Sequence, residues 1–427
     1  MANRELDVYL DGDLAGTAQM SSNGALTFSY DEPYSRRGNP TPLSMSMPVD
    51  VKEHKNRMVL PFLQGLLPDN AQALASIAST YSVSAASPFA MLEHVGKDVA
   101  GALQFVPKGA ASPDAVNTRT KVTELSGRQI EGKLNEAISE YRDGKPIGRA
   151  DGRFSLAGAQ PKIALHQISP GRWGLPEDAT PTTHIFKPNA GVMRDIDVIE
   201  QMTMTAARAL GLSVAESYVT TFGGLSTFVS KRYDRVFEDG RWRRLHQEDL
   251  CQALGVTPVK KYQRTEGGPG VGDFANLTEL FPLAADRREA SVEFFKAFVF
   301  NVVVGGTDAH AKNYSLLLEN ETVALAPLYD LATYAPYRKD DEVVLLPMNV
   351  NGKYASDSVS TADLVKVGSR LRVPDEQAVE IVDRMRHGAI PAFEEARDEF
   401  NGSATRSVTS AVLNAVSKLP LCIAASF

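Results

Sequence analysis

Three polar residues in the C-terminal half have types and spacing that could support phosphoryl transfer. Asp308 is followed five positions later by Asn313, and Asp330 lies beyond a predicted β-hairpin over residues 314–325. In protein kinases an Asp accepts the proton of the attacking hydroxyl, while an Asn five positions later and a second Asp hold Mg²⁺. Amide and carboxylate oxygens suit this hard cation. The pattern predicts Asp308 as the base and Asn313 and Asp330 as metal ligands.

A lysine and an acidic residue lie upstream in the order that a kinase site needs. Lys187 ends a β-branched and aromatic run, and Glu200 lies on the next predicted helix. Such a lysine holds the α and β phosphates of ATP, and such an acid orients the lysine. The alternative is a solvated surface lysine and a surface glutamate. Asp308, Asn313 and Asp330 could likewise be ordinary capping residues, but their combination with Lys187 favours the kinase interpretation.

A segment of small residues takes the place of the glycine-rich GxGxxG loop, which the sequence lacks. Small side chains let backbone N–H groups approach phosphate oxygens, so residues 154–162 are the candidate phosphate loop. This signal is weak by itself. The predicted nucleotide-contacting residues of the loop are Ser155, Leu156, Ala157, Gly158, Ala159 and Gln160.

Composition limits the class of protein that carries these residues. The 427 residues predict two or three packed units, and the net charge of -7 with a pI near 5.6 argues against a surface built to wrap nucleic acid or bind an anionic membrane. The two cysteines, Cys251 and Cys422, fit neither a disulfide framework nor a zinc site. The acidic N-terminus and the short apolar stretches give the expectation of a cytoplasmic protein that does not bind membranes.

The chain is predicted to divide into four regions, and the secondary structure follows from hydrophobic periodicity and turn signals. Residues 1–107 form an α+β subdomain, 108–120 a linker, 121–235 a region with the ATP loop and hinge, and 236–427 a mainly helical region. The predicted helices are 56–81, 88–95, 127–141 and 198–210. The predicted strands are 6–10, 25–30, 102–106, 154–156, 162–165, 183–186, 218–229, 314–318 and 323–325.

Several segments together resemble the HipA-type Ser/Thr kinases, the toxins of bacterial toxin-antitoxin systems. The strongest are SLAGAQ at residues 155–160, TTHIFK at residues 182–187 and GTDAHAKN at residues 306–313. Further similar blocks, in the same order as in that family, are residues 66–70, 95–102, 247–252 and 267–270. The resemblance therefore covers most of the chain.

The resemblance implies an α+β, protein-kinase-like bilobal fold with a mixed N-lobe sheet, a helical C-lobe and an extra N-terminal α+β subdomain. It implies ATP and Mg²⁺ as cofactors, Asp308 as the base, and Ser155 as an autophosphorylated serine whose modification silences the enzyme. The hinge would be residues 229–234. The wider implied ATP site adds Lys231, Tyr233, Asp234, His310 and Lys312.

The resemblance also implies partners. These are a helix-turn-helix antitoxin of the HipB type, operator DNA bound mainly through that antitoxin, and an aminoacyl-tRNA synthetase, of the glutamyl type, as protein substrate. The alternatives are a weakly toxic, kinase-like corepressor and a small-molecule kinase. Two residues depart from the expected pattern: Pro161 replaces an acid after the loop and fixes the backbone there, and Lys231 replaces an acid in the hinge.

Overall fold

The computed structural model describes residues 4–110, 112, 120–143, 158, 160–177, 180–191, 193–339, 342–400 and 403–422. Helices and strands are both present, as the predicted α+β class requires. The chain forms two compact units. The first comprises residues 1–190, 220–258 and 317–321, and the second comprises residues 191–219, 259–316 and 322–427.

The first unit opens with an antiparallel sheet in the strand order β4-β3-β2-β1-β5. The turns at Asp11-Gly12 and Asn23-Gly24 join its first strands, as their turn-forming residues predict. Phenylalanines 28, 62, 89 and 105 are fully buried in its core. The elements are β1 (Arg4–Leu10), β2 (Asp13–Met20), β3 (Leu26–Tyr30), α1 (Glu32–Ser35), β4 (His54–Lys55), α2 (Asn56–Gly65), α3 (Ala71–Tyr81), α4 (Pro88–Val95) and β5 (Leu103–Pro107).

The helical spacing over residues 56–81 is divided between two helices rather than one. Helix α2 ends before Pro68, and Asn70 begins α3 by accepting a 2.9 Å hydrogen bond from the N–H of Ala73. Asn is a strong helix N-cap, whereas Pro lacks the N–H that an uninterrupted helix would use. The intervening Leu-Pro-Asp-Asn segment is therefore a connection between the two helices.

A second sheet in the first unit carries the lysine strand. Its order is β10-β11-β9-β7-β8-β6, and Lys187 on β9 pairs with Phe228 on β11. Helix α5 packs on this sheet through Ile130 and Leu134. The elements are β6 (Val122–Leu125), α5 (Gly127–Asp143), β7 (Ile163–Ser169), β8 (Arg172–Pro176), β9 (His184–Pro188), β10 (Ser217–Phe222) and β11 (Leu225–Lys231).

The expectation of mainly helical structure directly after Arg235 is wrong. Strands β12 (Arg235–Glu238) and β13 (Arg241–Arg244) form an antiparallel hairpin, followed by β14 (His246–Asp249) and the short helix α7 (Leu250–Ala253). The connecting Asp239 and Gly240 both have positive φ, 51° and 76°. Asp-Gly is a strong hairpin signal, so the sequence of the turn indicated a hairpin where a helical region was expected.

The second unit is largely helical. Helix α6, predicted within the region of the hinge, belongs to this unit and packs against α12, which also contacts α10 and α11. Among the described residues, no helix has the length and apolar character needed to cross a bilayer. The elements are α6 (Ile196–Ala209), α8 (Gln263–Glu266), α9 (Val271–Thr278), α10 (Ala284–Val303), β16 (Thr322–Leu325), β17 (Leu345–Val350), β18 (Lys353–Ala355), α11 (Thr361–Arg370), α12 (Asp375–Asp398) and α13 (Ser403–Val416). Strand β15 (Ser315–Glu319) begins in this unit, and its residues 317–319 belong to the first.

Candidate active site

The segment from Asp308 to Asn313 is a tight loop closed on itself by hydrogen bonds. The backbone oxygen of Asp308 accepts from the N–H of His310 at 2.8 Å and from Nδ2 of Asn313 at 2.7 Å. The N–H of Asn313 in turn donates to the oxygen of His310 at 2.9 Å. The side chain of Asn313 is therefore oriented by its amide nitrogen, which leaves Oδ1 as the atom that would meet a cation. The side chain of Asp308 is 62% exposed.

Helix α10 and two glycines hold this loop in place. The N–H of Gly306 donates to the backbone oxygen of Asn301 at 2.7 Å, and the side chain of Asn301 donates to the hydroxyl of buried Tyr314 at 3.2 Å. A Cβ on Gly306 would lie only 2.5 Å from Oδ1 of Asn301, so the close approach requires glycine. Gly305 has φ 69°, in the left-handed region. The Gly-Gly pair thus turns the chain from the end of α10 into residues 308–313, the predicted catalytic loop.

Asp330 lies after β16, and its neighbour Tyr329 connects it to the same loop. The hydroxyl of Tyr329 donates to the backbone oxygen of Lys312 at 2.8 Å and lies 2.6 Å from Oγ of Ser315. Asp330 has φ 54°, a conformation that costs free energy for a residue with a side chain and is enriched at functional sites. The predicted metal-ligand segments, around Asn313 and Asp330, are therefore joined by a side chain that sequence reasoning missed.

The predicted phosphate-binding residues belong to the first unit. The side chain of Lys187 is buried, and its ammonium lies 5.3 Å from the ring centre of Phe228, a cation–π contact across two paired strands. Gly158, with φ 110°, lies beside the Leu-Pro-Asp-Asn connection, where its oxygen accepts from the N–H of Asp69 at 3.2 Å. A Cβ on Gly158 would lie 2.3 Å from Nζ of Lys162, so the ammonium of Lys162 is placed against this glycine.

The predicted hinge region contains a buried network of charged groups. Asp98 accepts 2.9 Å hydrogen bonds from Arg235 Nη2 and from the N–H of Thr182, and Asp234 accepts a 2.8 Å bond from Arg232 Nη2. Burial by itself raises the pKa of Asp98, but the charges of the neighbouring arginines outweigh it and lower the pKa to about 2. Burial also raises the pKa of Asp234, and Arg232 and Arg235 lower it below its usual range, so both carboxylates are ionised. They connect residues 98–101 of the N-terminal subdomain to the chain that follows β11.

The network bears on the expectation that Asp234 contacts ATP. Its carboxylate is 1% exposed and accepts from Arg232, from the N–H of Gly101 and from the side chain of Gln247. A contact between this carboxylate and a nucleotide stays a prediction, and it would require breaking buried charged hydrogen bonds. Tyr233 is half-buried and donates to the side chain of Gln247, whereas Lys231 is exposed.

The structure brings together only part of the predicted site. Asp308, His310, Lys312 and Asn313 form one loop, and Tyr329 links it to Asp330. Lys187 and Glu200 belong to different compact units, so their pairing stays a prediction, although Glu200 is buried. Gln160 is exposed in the first unit. Four predicted loop residues lie outside the described part of the chain: Ser155, Leu156, Ala157 and Ala159.

Two residues that sequence reasoning left out of the site contact the loop of Asp308: Tyr262 and Tyr329. The hydroxyl of Tyr262 donates to Oδ1 of Asp308, and its ring meets that of His310 edge-on at 4.8 Å between centres. Tyr262 lies 46 positions before Asp308, so spacing gave no signal for it. Tyr329 directly precedes the predicted metal ligand Asp330, and this position was the signal that could have identified it, whereas Lys162 was already the last residue of the predicted phosphate loop.

Comparison with known families and structures places this site in context. The family model described as the HipA N-terminal domain matches residues 6–106, and the model described as the HipA-like C-terminal domain matches residues 154–393. The latter covers the lysine strand, the catalytic loop and Asp330. These matches confirm the resemblance that the sequence segments indicated.

Individual relatives agree with the family models. Y4mE of Sinorhizobium fredii is 37% identical over 344 residues, which cover 79% of this chain and 79% of Y4mE. The Serine/threonine-protein kinase toxin HipA of Shewanella oneidensis is 31% identical over 345 residues, 78% of this chain and 76% of that protein. The structural match to the solved complex of Shewanella oneidensis HipA, HipB and operator DNA covers 97% of this chain and 97% of the matched chain. The TM-score is 0.80 at 24% sequence identity, so the two chains share the fold.

Proposed function

The chain belongs to the HipA family, and from this premise we propose that it is a Ser/Thr protein kinase that uses ATP and Mg²⁺. The observation that carries the proposal is the hydrogen-bonded loop that fixes Asp308 and Asn313 and is joined through Tyr329 to the segment of Asp330. Phosphoryl transfer requires little covalent chemistry from the protein, so positioned charges and oxygen ligands of this kind are the main requirement.

The proposed base is Asp308. Its exposed carboxylate would accept the proton of a serine or threonine hydroxyl as that oxygen attacks the γ-phosphorus of ATP and the bond to ADP breaks. The loop backbone holds the carboxylate on the short, hydrogen-bonded turn described above. Positioning of this kind lowers the barrier because little further ordering is needed when the acceptor arrives.

Oδ1 of Asn313 and the carboxylate of Asp330 are the oxygen atoms that would hold Mg²⁺, which supplies positive charge to the phosphate oxygens when bound. The described residues contain no group of three or more His, Cys, Asp or Glu arranged as a self-sufficient metal site. In kinases Mg²⁺ is commonly bound by one or two protein ligands together with substrate phosphates. Lys187 and Lys162 are the cations proposed to bind the phosphates of ATP.

The proposed biological role is that of a growth-arresting toxin. The Shewanella oneidensis relative is named as a kinase toxin, and its solved complex contains HipB and operator DNA. By the same likeness we propose a HipB-like antitoxin as partner, with DNA contacted mainly through it, in keeping with the net charge of -7 of this chain. An aminoacyl-tRNA synthetase of the glutamyl type as substrate, and Ser155 as a self-phosphorylated and silencing residue, complete the proposal. A phosphate near the nucleotide phosphates would repel them.

A second function, that of a weakly toxic corepressor, is supported by the same solved complex, in which the relative is bound with HipB to DNA. A corepressor would need the buried charged network to keep its fold just as an enzyme would; its members are Asp98, Arg232, Asp234 and Arg235. The two functions differ in their dependence on Asp308, which a corepressor would not require.

The test is incubation of the purified chain with Mg²⁺ and γ-labelled ATP, followed by mapping of the labelled residues. Wild-type protein should become labelled at Ser155, and Asp308→Asn should reduce labelling by at least about a hundredfold, because general base catalysis contributes on that order. Omission of Mg²⁺ should have a similar effect. An Asp308→Asn protein that labels as fast as wild type would refute the assignment of the base. A wild-type protein that binds ATP without transferring phosphate, but tightens operator binding by a HipB-like antitoxin, would favour the corepressor.

A further inference from the structure

Tyr262 places a phenol against the proposed catalytic carboxylate from a separate segment of the chain. Its hydroxyl donates to Oδ1 of Asp308, and Nε2 of His310 lies 3.7 Å from the same oxygen. The rings of Tyr262 and His310 meet edge-on, a favourable aromatic arrangement. One oxygen of the carboxylate is thus turned toward a tyrosine and a histidine, while the side chain as a whole stays exposed.

The backbone around Tyr262 is fixed on both sides. The N–H of Ala311, in the catalytic loop, donates to the oxygen of Lys261 at 3.2 Å, and the N–H of Tyr262 donates to the carboxylate of Glu266 at 2.9 Å. The oxygen of Tyr262 accepts from the N–H of Gly268 at 3.1 Å. The phenol is therefore presented by an anchored turn that is hydrogen-bonded to the catalytic loop.

A glycine and a glutamine complete the anchoring of this turn. A Cβ on Gly268 would lie 1.8 Å from the oxygen of Lys260, so only glycine permits the return of the chain. Oε1 of Gln263 accepts from the N–H and from Nδ2 of Asn349, both at 2.8 Å. The position of Tyr262 is thus determined by strand β17 as well as by the catalytic loop.

An exposed aspartate that must act as a base has a positioning problem. Its side chain rotates freely in water, and only some rotamers direct an oxygen at the acceptor hydroxyl. A hydrogen bond to one carboxylate oxygen removes this freedom and presents the other oxygen in a single direction. Because hydrogen bonds to charged groups are stronger than neutral ones, a phenol is well suited to this task.

We propose that Tyr262 is a positioning residue that holds Oδ1 of Asp308 so that Oδ2 receives the proton of the acceptor hydroxyl. In the transfer step the acceptor oxygen forms its bond to the γ-phosphorus, the bond to ADP breaks, and the acceptor proton moves to Oδ2. Tyr262 keeps its own proton throughout and contacts no substrate atom. The inference rests on the proposed kinase function and deepens it by assigning a role to the segment before α8.

The test compares Tyr262→Phe with wild type in steady-state transfer from Mg²⁺-ATP to myelin basic protein as a general acceptor. Loss of the hydroxyl should lower kcat about tenfold, the size expected for one hydrogen bond to a charged group, and leave KM for ATP unchanged within about twofold. The matched control is Tyr334→Phe, because Tyr334 also donates to a carboxylate, that of Glu342, at 3.3 Å in the same unit. This control should keep the wild-type kcat.

A second measurement separates a role through Asp308 from any other role. In the Asp308→Asn background, the residual rate, followed over hours with labelled ATP, should not fall further when Tyr262→Phe is added. An equal loss in both backgrounds would overturn the proposal, as would an unchanged kcat in Tyr262→Phe. A raised kcat with a lower KM for the acceptor would instead show that the hydroxyl blocks the base. A fully active Asp308→Asn protein would refute the kinase assignment itself, so the two failures are distinguishable.

Discussion

Replacement of Asp98 by asparagine should destabilise the first unit strongly, because it changes the charge of a buried network without changing its shape. The network holds the carboxylates of Asp98 and Asp234 and the guanidinium groups of Arg232, Arg235 and Arg244. The substitution leaves three buried cations with one anion. Breaking a buried pair by removal of one partner costs about 3–5 kcal/mol, since the remaining charge stays out of water.

The pKa of Asp98 supports a contribution of this order. The pKa is lowered from 3.8 to about 2, and each pKa unit corresponds to about 1.4 kcal/mol, so ionised Asp98 favours the folded state by about 2 kcal/mol. Because the folded value is the lower one, this stabilisation is present above the pKa of the unfolded chain. It is lost as the pH falls through 3.8 toward 2. The difference in unfolding free energy between Asp98→Asn and wild type should therefore become smaller at acid pH.

Tryptophan fluorescence is the assay that reports on this unit alone. The chain has two tryptophans, Trp173 and Trp242, and both belong to the first unit. Urea unfolding followed by their emission should show a much lower midpoint for Asp98→Asn. The matched control is Glu124→Gln, the same chemical change in an exposed ion pair with Arg172 at 2.6 Å, and its midpoint should stay at that of wild type. Equal midpoints for Asp98→Asn and Glu124→Gln would refute the reasoning.

Three further perturbations have defined outcomes. Burial raises the pKa of Glu248 from 4.5 to about 8, so the folded protein holds a proton that the unfolded chain releases, and wild type should lose stability as the pH rises from 4.5 toward 8. Glu248→Gln should show a flatter profile of urea midpoints over this range. Tyr329→Phe should lower the transfer rate about tenfold in the γ-labelled ATP assay, because it removes the hydrogen bond to the backbone oxygen of Lys312 in the catalytic loop. The melting temperature should change little. Gly306→Ala should cost about 1–3 kcal/mol in far-UV circular dichroism melts, since its Cβ would meet Asn301 at 2.5 Å, whereas Gly132→Ala, in open space on α5, should not destabilise.

The sequence by itself determined the features that depend on neighbouring residues. Turn dipeptides predicted the hairpins at Asp11-Gly12 and Asn23-Gly24, and periodicity predicted α4, α5 and α6 to within a few residues. The order of Asp308, Asn313 and Asp330, together with the matching segments, indicated the HipA family that the family models confirm. The prediction from local signals was wrong at the hairpin around Asp239-Gly240. There the helical pattern of the following region was given more weight than the Asp-Gly turn signal.

Only the tertiary structure decided which residues surround the catalytic loop. Tyr262 reaches Asp308 across 46 positions, and Asp98 meets Arg235 across 137 positions. Such contacts depend on how separate segments pack, which neither propensity nor spacing along the chain encodes. The same holds for α6, which local periodicity predicts as a helix but which joins the second unit because its apolar face is buried against α12. Local physics thus determined elements and motifs, whereas the partners of the charged and catalytic groups were determined by long-range packing.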